Sequence, residues 1–437
     1  MFRTLVNAFK DKGVRKKIII TVLLLIVYRI GCFIPVPGID SEVFSSTIEG
    51  YSFLNILSSV SGGALASGTL FAMGISPYIN SSIIMQLLTV GIPRLERLSK
   101  EGEEGRKKIA QYTRYLTILL AVVQALGILL NFGDNGAINF GVLGSTFGPN
   151  NKWLVYTYMV IIYSAGASLT MWLGERITEY GVGNGISLLI FVGIISTLGG
   201  AVVGEIGDLK DSFQPLWNLL AFAVVAVIIF GLIVYVDLAE RKVPVQYAKQ
   251  VKGRKMYGGQ STSIPIRINA SGVMPLIFAF SIISFPSMIL EMFWPNWSGT
   301  AWYAEHLGTE SWIYYIVLPL LILFFAFFYA QIQFNPEDVS KNIQQYGGFI
   351  PGIRPGKPTA QHLKKISNRI TLFGAIFLAL LALIPTLIFK AVIGDATSGL
   401  LNALSTTGLL IIVSVALELD KQLQSQLMMK QYKGFLK

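Results

Sequence analysis

The chain has 437 residues, 53% of them hydrophobic and only 14% charged, with 35 basic residues against 24 acidic and a formal net charge of +11. A soluble domain carries about 25% charged residues and a disordered chain is poor in apolar ones, so both classes are excluded. One cysteine, Cys32, and two distant histidines, His306 and His362, leave no disulfide, HExxH or Cys/His cluster, and no GxxxxGK[ST] occurs to cradle a nucleotide. The sequence therefore predicts no enzyme, metal centre or cofactor, and any energy source has to come from a partner.

The chain opens on Met-Phe-Arg and the basic residues Arg3, Lys10, Lys12, Arg15, Lys16 and Lys17, ahead of a first apolar run near residues 17–35. That run exceeds the ~7–15-residue core of a cleavable signal, so it reads as a retained span, with Arg29 near its outer end. Between it and a second run near 70–92 lies Tyr51–Thr69, moderately apolar, rich in Ser and Gly, free of basic residues and too short to span. Ser52 is placed to cap a short helix through Leu54, Leu57 and Val60, which Gly62 and Gly63 would end. Such a segment is either an amphipathic helix lying on the bilayer or a re-entrant piece enclosed at membrane depth. Runs near 113–132, 153–173, 184–201, 215–236, 270–290, 312–334, 370–389 and 398–418 bring the count to ten, the fifth being short and opened by Gly183, Asn184 and Gly185. Pro77, Pro275, Pro319 and Pro385 fall at or within spans, where each removes a helix hydrogen bond. The polar residues in the runs are mostly uncharged, as at Ser81, Ser82, Gln86, Thr89, Gln124, Asn269 and Ser271, a deficit that counts against ion-coupled transport.

Ten spans put 31 of the 35 basic residues and 13 acidic ones on one side of the membrane, about +18, and leave about −8 on the other. Excess lysine and arginine marks the cytoplasmic side, so both termini are expected there. Solid apolar runs rather than alternation exclude a membrane β-barrel and predict an all-α polytopic membrane protein.

Six strings, in order along the chain, resemble the SecY family, the central subunit of the protein-translocation channel. They are Tyr28-Arg-Ile-Gly31 with Ile34-Pro-Val-Pro-Gly-Ile-Asp40, Gly74-Ile-Ser-Pro-Tyr-Ile-Asn-Ser-Ser-Ile-Ile-Met-Gln-Leu-Leu88, Glu101-Gly-Glu-Glu-Gly-Arg-Lys-Lys-Ile-Ala-Gln-Tyr-Thr-Arg114, Gly174-Glu-Arg-Ile-Thr-Glu-Tyr-Gly-Val-Gly-Asn-Gly-Ile-Ser187, Gly347-Gly-Phe-Ile-Pro-Gly-Ile-Arg-Pro-Gly356 and Leu427-Met-Met-Lys-Gln-Tyr432. The resemblance implies two pseudo-symmetric inverted halves, 1–201 and 202–437, that open like a clamshell, with cytoplasmic loops 237–268 and 335–369. It implies a multi-pass plasma-membrane channel that passes unfolded secretory chains outward and releases hydrophobic segments sideways. A secondary transporter of a small apolar or zwitterionic solute is the other reading that inverted repeats and proline-broken spans allow.

Carried over by motif, residues from about Phe53 to Ser61, including Leu54, Leu57 and Val60, form a plug helix. The pore ring falls on Ile79, Ile83, Ile186, Ile190, Ile277 and Ile411. Both pairs are spaced i, i+4 and present one helical face. Isoleucine is stiff and uncharged, and a narrow ring of it blocks ions by dewetting. Without the resemblance these isoleucines would read as lipid-facing or core residues. Thr89, Gln124 and Asn269 match the polar cluster of the lateral gate, whose alternative is ordinary interhelical hydrogen bonding. Arg254, Lys255 and Arg354 match loop tips that dock the SecA motor ATPase and the ribosome, whose RNA phosphates attract basic residues. As a topology signal alone, the loops' basic residues would bind anionic lipid. SecE and SecG subunits, translocating polypeptides with their signal sequences, and membrane lipids complete the implied partners.

Overall fold

The computed structural model describes residues 2–49, 54, 58, 61–134, 138, 152–208, 214–247, 250–252, 255–257, 261–269, 272, 274–294, 297–308, 311–393 and 406–435. Among them lie fifteen helices: α1 (Phe2–Lys10), α2 (Lys12–Gly31), α3 (Ser41–Glu49), α4 (Ser76–Gly91), α5 (Pro93–Lys100), α6 (Glu103–Asp134), α7 (Lys152–Tyr180), α8 (Gly185–Asp208), α9 (Gln214–Leu238), α10 (Met274–Phe293), α11 (Ser298–Leu307), α12 (Tyr314–Gln333), α13 (Pro336–Gln345), α14 (Lys357–Ile393) and α15 (Thr406–Phe435). Five short strands accompany them: β1 (Glu240–Tyr247), β2 (Gln250–Lys252), β3 (Lys255–Tyr257), β4 (Ser261–Arg267) and β5 (Gly348–Phe349). Among the described residues each of the ten apolar runs overlaps a helix, namely α2, α4, α6–α10, α12, α14 and α15. Six stretches among the described residues are long and apolar enough to cross a bilayer, Glu103–Leu130, Lys152–Tyr180, Gly185–Gly204, Met274–Glu291, Tyr314–Gln345 and Lys357–Ile384.

Residue packing divides the chain into two units, the first formed by 1–220, 281–314 and 395–437. Its α2 starts on Asp11, whose carboxylate accepts from the N–H groups of Gly13 and Val14 at 2.8 and 3.0 Å, satisfying two of the helix's orphan donors. Its apolar core gathers Phe44 of α3, Ala121, Ala125 and Leu129 of α6, Met159 and Tyr163 of α7, and Met288 of α10. Leu54 and Leu65 belong to the same core, with Leu54 only 2% exposed.

Residues 61–75 run between α2 and α4 as consecutive turns, and most of them are buried. The first-span string holds them. Tyr28 stacks on Phe71 at 5.7 Å, and a Cβ on Gly31 would strike the Phe71 ring, so only glycine admits that ring. Backbone pairing completes the clasp: Leu70 N–H donates to Ile34 O (2.9 Å) and Val36 N–H to Gly68 O (3.1 Å). A Cβ on Gly166 of α7 would likewise strike the Leu70 carbonyl, so α7 also yields space to this segment. Leu54 and Ser58 are buried along with most of residues 61–75. Ser52, Phe53, Leu57 and Val60 lie outside the described residues.

The second unit, 221–280 and 315–394, contains both of the expected cytoplasmic loops. Antiparallel strands in the order β4-β1-β5 join them, with Val245 opposite Thr262 and Gln246 opposite Phe349. Val243, Val245, Ile266, Ile343, Ile350 and Leu363 form a small core beneath the sheet. Phe278 of α10 meets Phe325 and Tyr329 of α12 edge-on, with centroids 5.7 and 5.0 Å apart. Asn269, predicted within the seventh span, lies instead in a turn, because α10 starts only at Met274, with Pro275 in its first turn where the missing N–H costs nothing.

The turn from α7 to α8 is tight. A Cβ on Gly185 would strike the Gly174 carbonyl, and Gly185 N–H donates to Thr178 Oγ1 at 2.9 Å. Gly185→Ala is therefore expected to destabilise the chain by roughly 1–3 kcal/mol or more, since backbone rather than a pliable side chain has to yield. Thermal unfolding of the purified chain in detergent checks this; an unchanged midpoint contradicts it.

Candidate functional site

The predicted isoleucines sit on helices whose starts are fixed by local chemistry. α4 begins after Gly74, at φ +53°, with Pro77 in its first turn, and Ser81 Oγ donates to Pro77 O at 2.7 Å. This sets Ile79 half-buried and Ile83 buried. α8 begins at the folded-back turn, where Gly183 has φ +89° and Asn184 Oδ1 accepts from Ile186 N–H at 3.1 Å as a cap. Thr21 of α2 locks the same turn, its Oγ1 accepting from Val182 N–H at 3.0 Å. Ile186 follows at once, half-buried, with Ile190 one turn on and buried. Ile411 is buried on α15. These five belong to the first unit, and Ile277, half-buried on α10, belongs to the second.

A cavity of about 690 Å³ in the first unit is lined by Tyr78, beside Ile79, and by Ile186, Gly183, Asn184, Glu418 and Gln422. Arg114, Trp172, Glu175, Arg176 and Glu179 line it as well. Their charges are mutually paired: Arg114 Nε lies 2.7 Å from Glu175 Oε1, and Arg176 lies 2.7 Å from Glu179 and 5.5 Å from the Trp172 ring. Half-exposed pairs of this kind contribute little to stability. Their consequence is a polar chamber without a large net field, with Ile186 as an apolar side chain in its wall.

Of the plug candidates, Leu54 is in the core and Ser61 is buried, its Oγ donating to Ser58 O (3.0 Å) and accepting from Leu65 N–H (3.2 Å). Gly62 and Gly63 follow at φ +73° and +82°. A Cβ on Gly62 would lie 2.6 Å from Arg29 Nη1 and 3.1 Å from Gly193 of α8, so this turn nests against both. The three gate candidates have separate surroundings. Thr89 Oγ1 donates within its own helix to Met85 O (2.7 Å). Gln124 is 1% exposed, and neither its Oε1 nor its Nε2 has a hydrogen-bond partner among the described residues. Asn269 Nδ2 donates to Asp237 Oδ1 at 3.0 Å, tying the end of α9 to the turn before α10.

Among the docking candidates, Arg254 lies outside the described residues and Lys255 opens β3. Arg354 is exposed, and its frame is stiff: Gly352 and Gly356 have φ +81° and +94°, and Thr359 Oγ1 donates to the Arg354 carbonyl at 2.8 Å. The sheet that joins the two loops was missed from sequence, although Val243/Val245 and Ile264/Ile266 alternate with the period of a strand.

Residues 69–419 match the family model for SecY. A protein translocase subunit SecY of Streptomyces galbus is 42% identical over 444 residues, covering 100% of both chains. The chain belongs to the SecY family. Among solved structures, one of SecY, whose plug domain is described as stabilising the closed state of the translocation channel and maintaining a membrane seal, aligns with TM-score 0.65 and 21% identity, covering 94% of this chain and 92% of that one. Sec61 in a canine ribosome-channel complex aligns with TM-score 0.61 and 19% identity over 94% and 92%. SecY proteins are translocase subunits rather than known enzymes, and a small-solute transporter is not favoured.

The opposite surroundings of two gate candidates give opposite expectations for one substitution. Gln124→Leu removes two unsatisfied buried polar atoms and is expected to raise stability by about 1–3 kcal/mol. Asn269→Leu breaks the bond to Asp237 and is expected to lower stability by a similar amount. Paired melting curves decide it; a shift of the same sign in both variants contradicts the assignment.

Proposed function

We propose that this SecY-family chain is a protein-conducting channel, passing unfolded secretory polypeptides across the plasma membrane and releasing hydrophobic segments sideways into lipid. The observation that carries the reading is the polar chamber bordered by Tyr78 and Ile186, in the same unit as buried Ile83, Ile190 and Ile411. With Ile277 these isoleucines form the constriction, an apolar gasket that dewets when empty and does not hold a passing chain. The halves 1–201 and 202–437 part to open it.

The plug is the segment from about Phe53 to Ser61, and burial of Leu54 supports a seated, closed state. Fully burying one leucine is worth about 1.5–3 kcal/mol, enough to bias the plug to its seat and little enough for a polypeptide to dislodge it. The lateral gate uses Thr89, Gln124 and Asn269, polar contacts worth about 0.6–2 kcal/mol each in a membrane, so an apolar signal sequence can compete for the seam. Both termini are cytoplasmic, in keeping with the segregated charge. Arg254, Lys255 and Arg354 then dock SecA and the ribosome. The joined sheet and the stiff frame of Arg354 support a rigid platform, and the relative in a ribosome-channel complex supports a ribosomal partner. SecE and SecG complete the channel.

A secretory chain stalled in transit by a bulky folded domain is expected to crosslink to single cysteines replacing Ile83 or Ile277 when the motor and its fuel are present. No crosslink at either position, with translocation otherwise active, overturns the channel assignment.

A further inference from the structure

A second cavity, of about 710 Å³, lies in the second unit where α12 ends, α13 crosses and α14 begins, and none of the proposed pore, plug, gate or docking residues lines it. Its wall carries Lys341, Lys357 and Lys364 together with the amides of Gln331, Gln344 and Asn368. One carboxylate, Glu337, also lines it. Among the described residues none of the three lysines is in an ion pair. Lys357 is the first residue of α14, a 37-residue helix, so the positive end of that helix adds to the same field. Three cations and several neutral donors around one carboxylate select an anion.

The depth of the cavity identifies which anion. Ala330 and Phe334, at the end of an apolar span, form part of its wall, and Ser367 and Asn368 line it just before the apolar part of α14. Large apolar side chains exposed on the same two helices, Phe324 and Ile332 on α12 and Leu372 and Phe373 on α14, begin within a turn or two of it. A ligand held here meets cations at its head and bare hydrocarbon surface beside them. We propose that this cavity binds the anionic headgroup of a phospholipid, whose acyl chains lie along α12 and α14. That the lipid belongs to the cytoplasmic leaflet rests on the orientation proposed above, but the binding itself does not.

The full-length chain, reconstituted in nanodiscs of equal phosphatidylglycerol and phosphatidylcholine and then extracted in mild detergent, is expected to retain phosphatidylglycerol over phosphatidylcholine by about tenfold or more, as lysines near a membrane surface attract anionic lipid. K341Q/K357Q/K364Q is expected to abolish that preference, whereas R94Q/R97Q/K100Q, an equal loss of charge elsewhere, keeps it. Millimolar inorganic phosphate is expected not to displace the lipid. Full displacement would mean a free-phosphate site and overturn the proposal. So would a lysine variant that keeps its phosphatidylglycerol while losing ribosome binding, which assigns the lysines to RNA. If the triple variant does not fold, phosphatidylglycerol with a photoreactive headgroup is applied to the unmodified chain. Adducts on Lys341, Lys357 or Lys364 support the site, and adducts only elsewhere overturn it.

Discussion

Backbone that is neither helical nor paired in a sheet persists inside a membrane protein only when surrounding protein satisfies and encloses it, and residues 61–75 are where this chain meets that demand. Their turns close on themselves through Ser61, Gly63 and Ala64 and pair with the exit of α2 at Ile34 and Val36. Glycines at 31 and 166 let the Phe71 ring and the Leu70 carbonyl approach helices that any side chain would hold off. The same clasp carries Leu54 into the core of the first unit and sets where α4 begins, so the position of Ile79 and Ile83 follows from it.

The folded-back turn between α7 and α8 does the equivalent for Ile186 and Ile190. Thr21, Thr178 and Asn184 supply the polar partners of its backbone, and Gly185 supplies the room. Two non-helical devices, each built from glycine and hydroxyl side chains, therefore aim four of the six isoleucines. The energies involved are small: a buried leucine and a few polar contacts amount to several kcal/mol. A channel that has to remain shut and yet open to a polypeptide needs contacts on that scale.

The apolar helices were legible because a run of apolar residues is a compositional signal that tertiary structure rarely overrides. Their ends were less so. The first span stops at Gly31 rather than near 35, ahead of Pro35 and Pro37, and the second starts at Ser76 because apolar Leu70–Ile75 packs as a turn. Arg29 stood out as the ionisable residue in a span, but its contact with Gly62 depends on a fold-back that no local pattern encodes. The strands hid inside charged loops, where a two-residue period is short and easily outweighed by composition. Asn269 matched a gate position by motif, whereas its bond to Asp237 arises from the closure of the sheet between them. The isoleucines would have read as packing without the family strings, and their burial alone does not distinguish a gasket from a core.

The central proposal is that the segment from about Phe53 to Ser61 is a plug that a polypeptide displaces. It is tested most directly by Ser58→Cys in a Cys32→Ser background, reconstituted in sealed vesicles with a membrane-impermeant maleimide outside. Ser58 is buried, so the account predicts protection at rest and rapid labelling once a secretory chain is stalled in the channel. Equal labelling in the two states would contradict it.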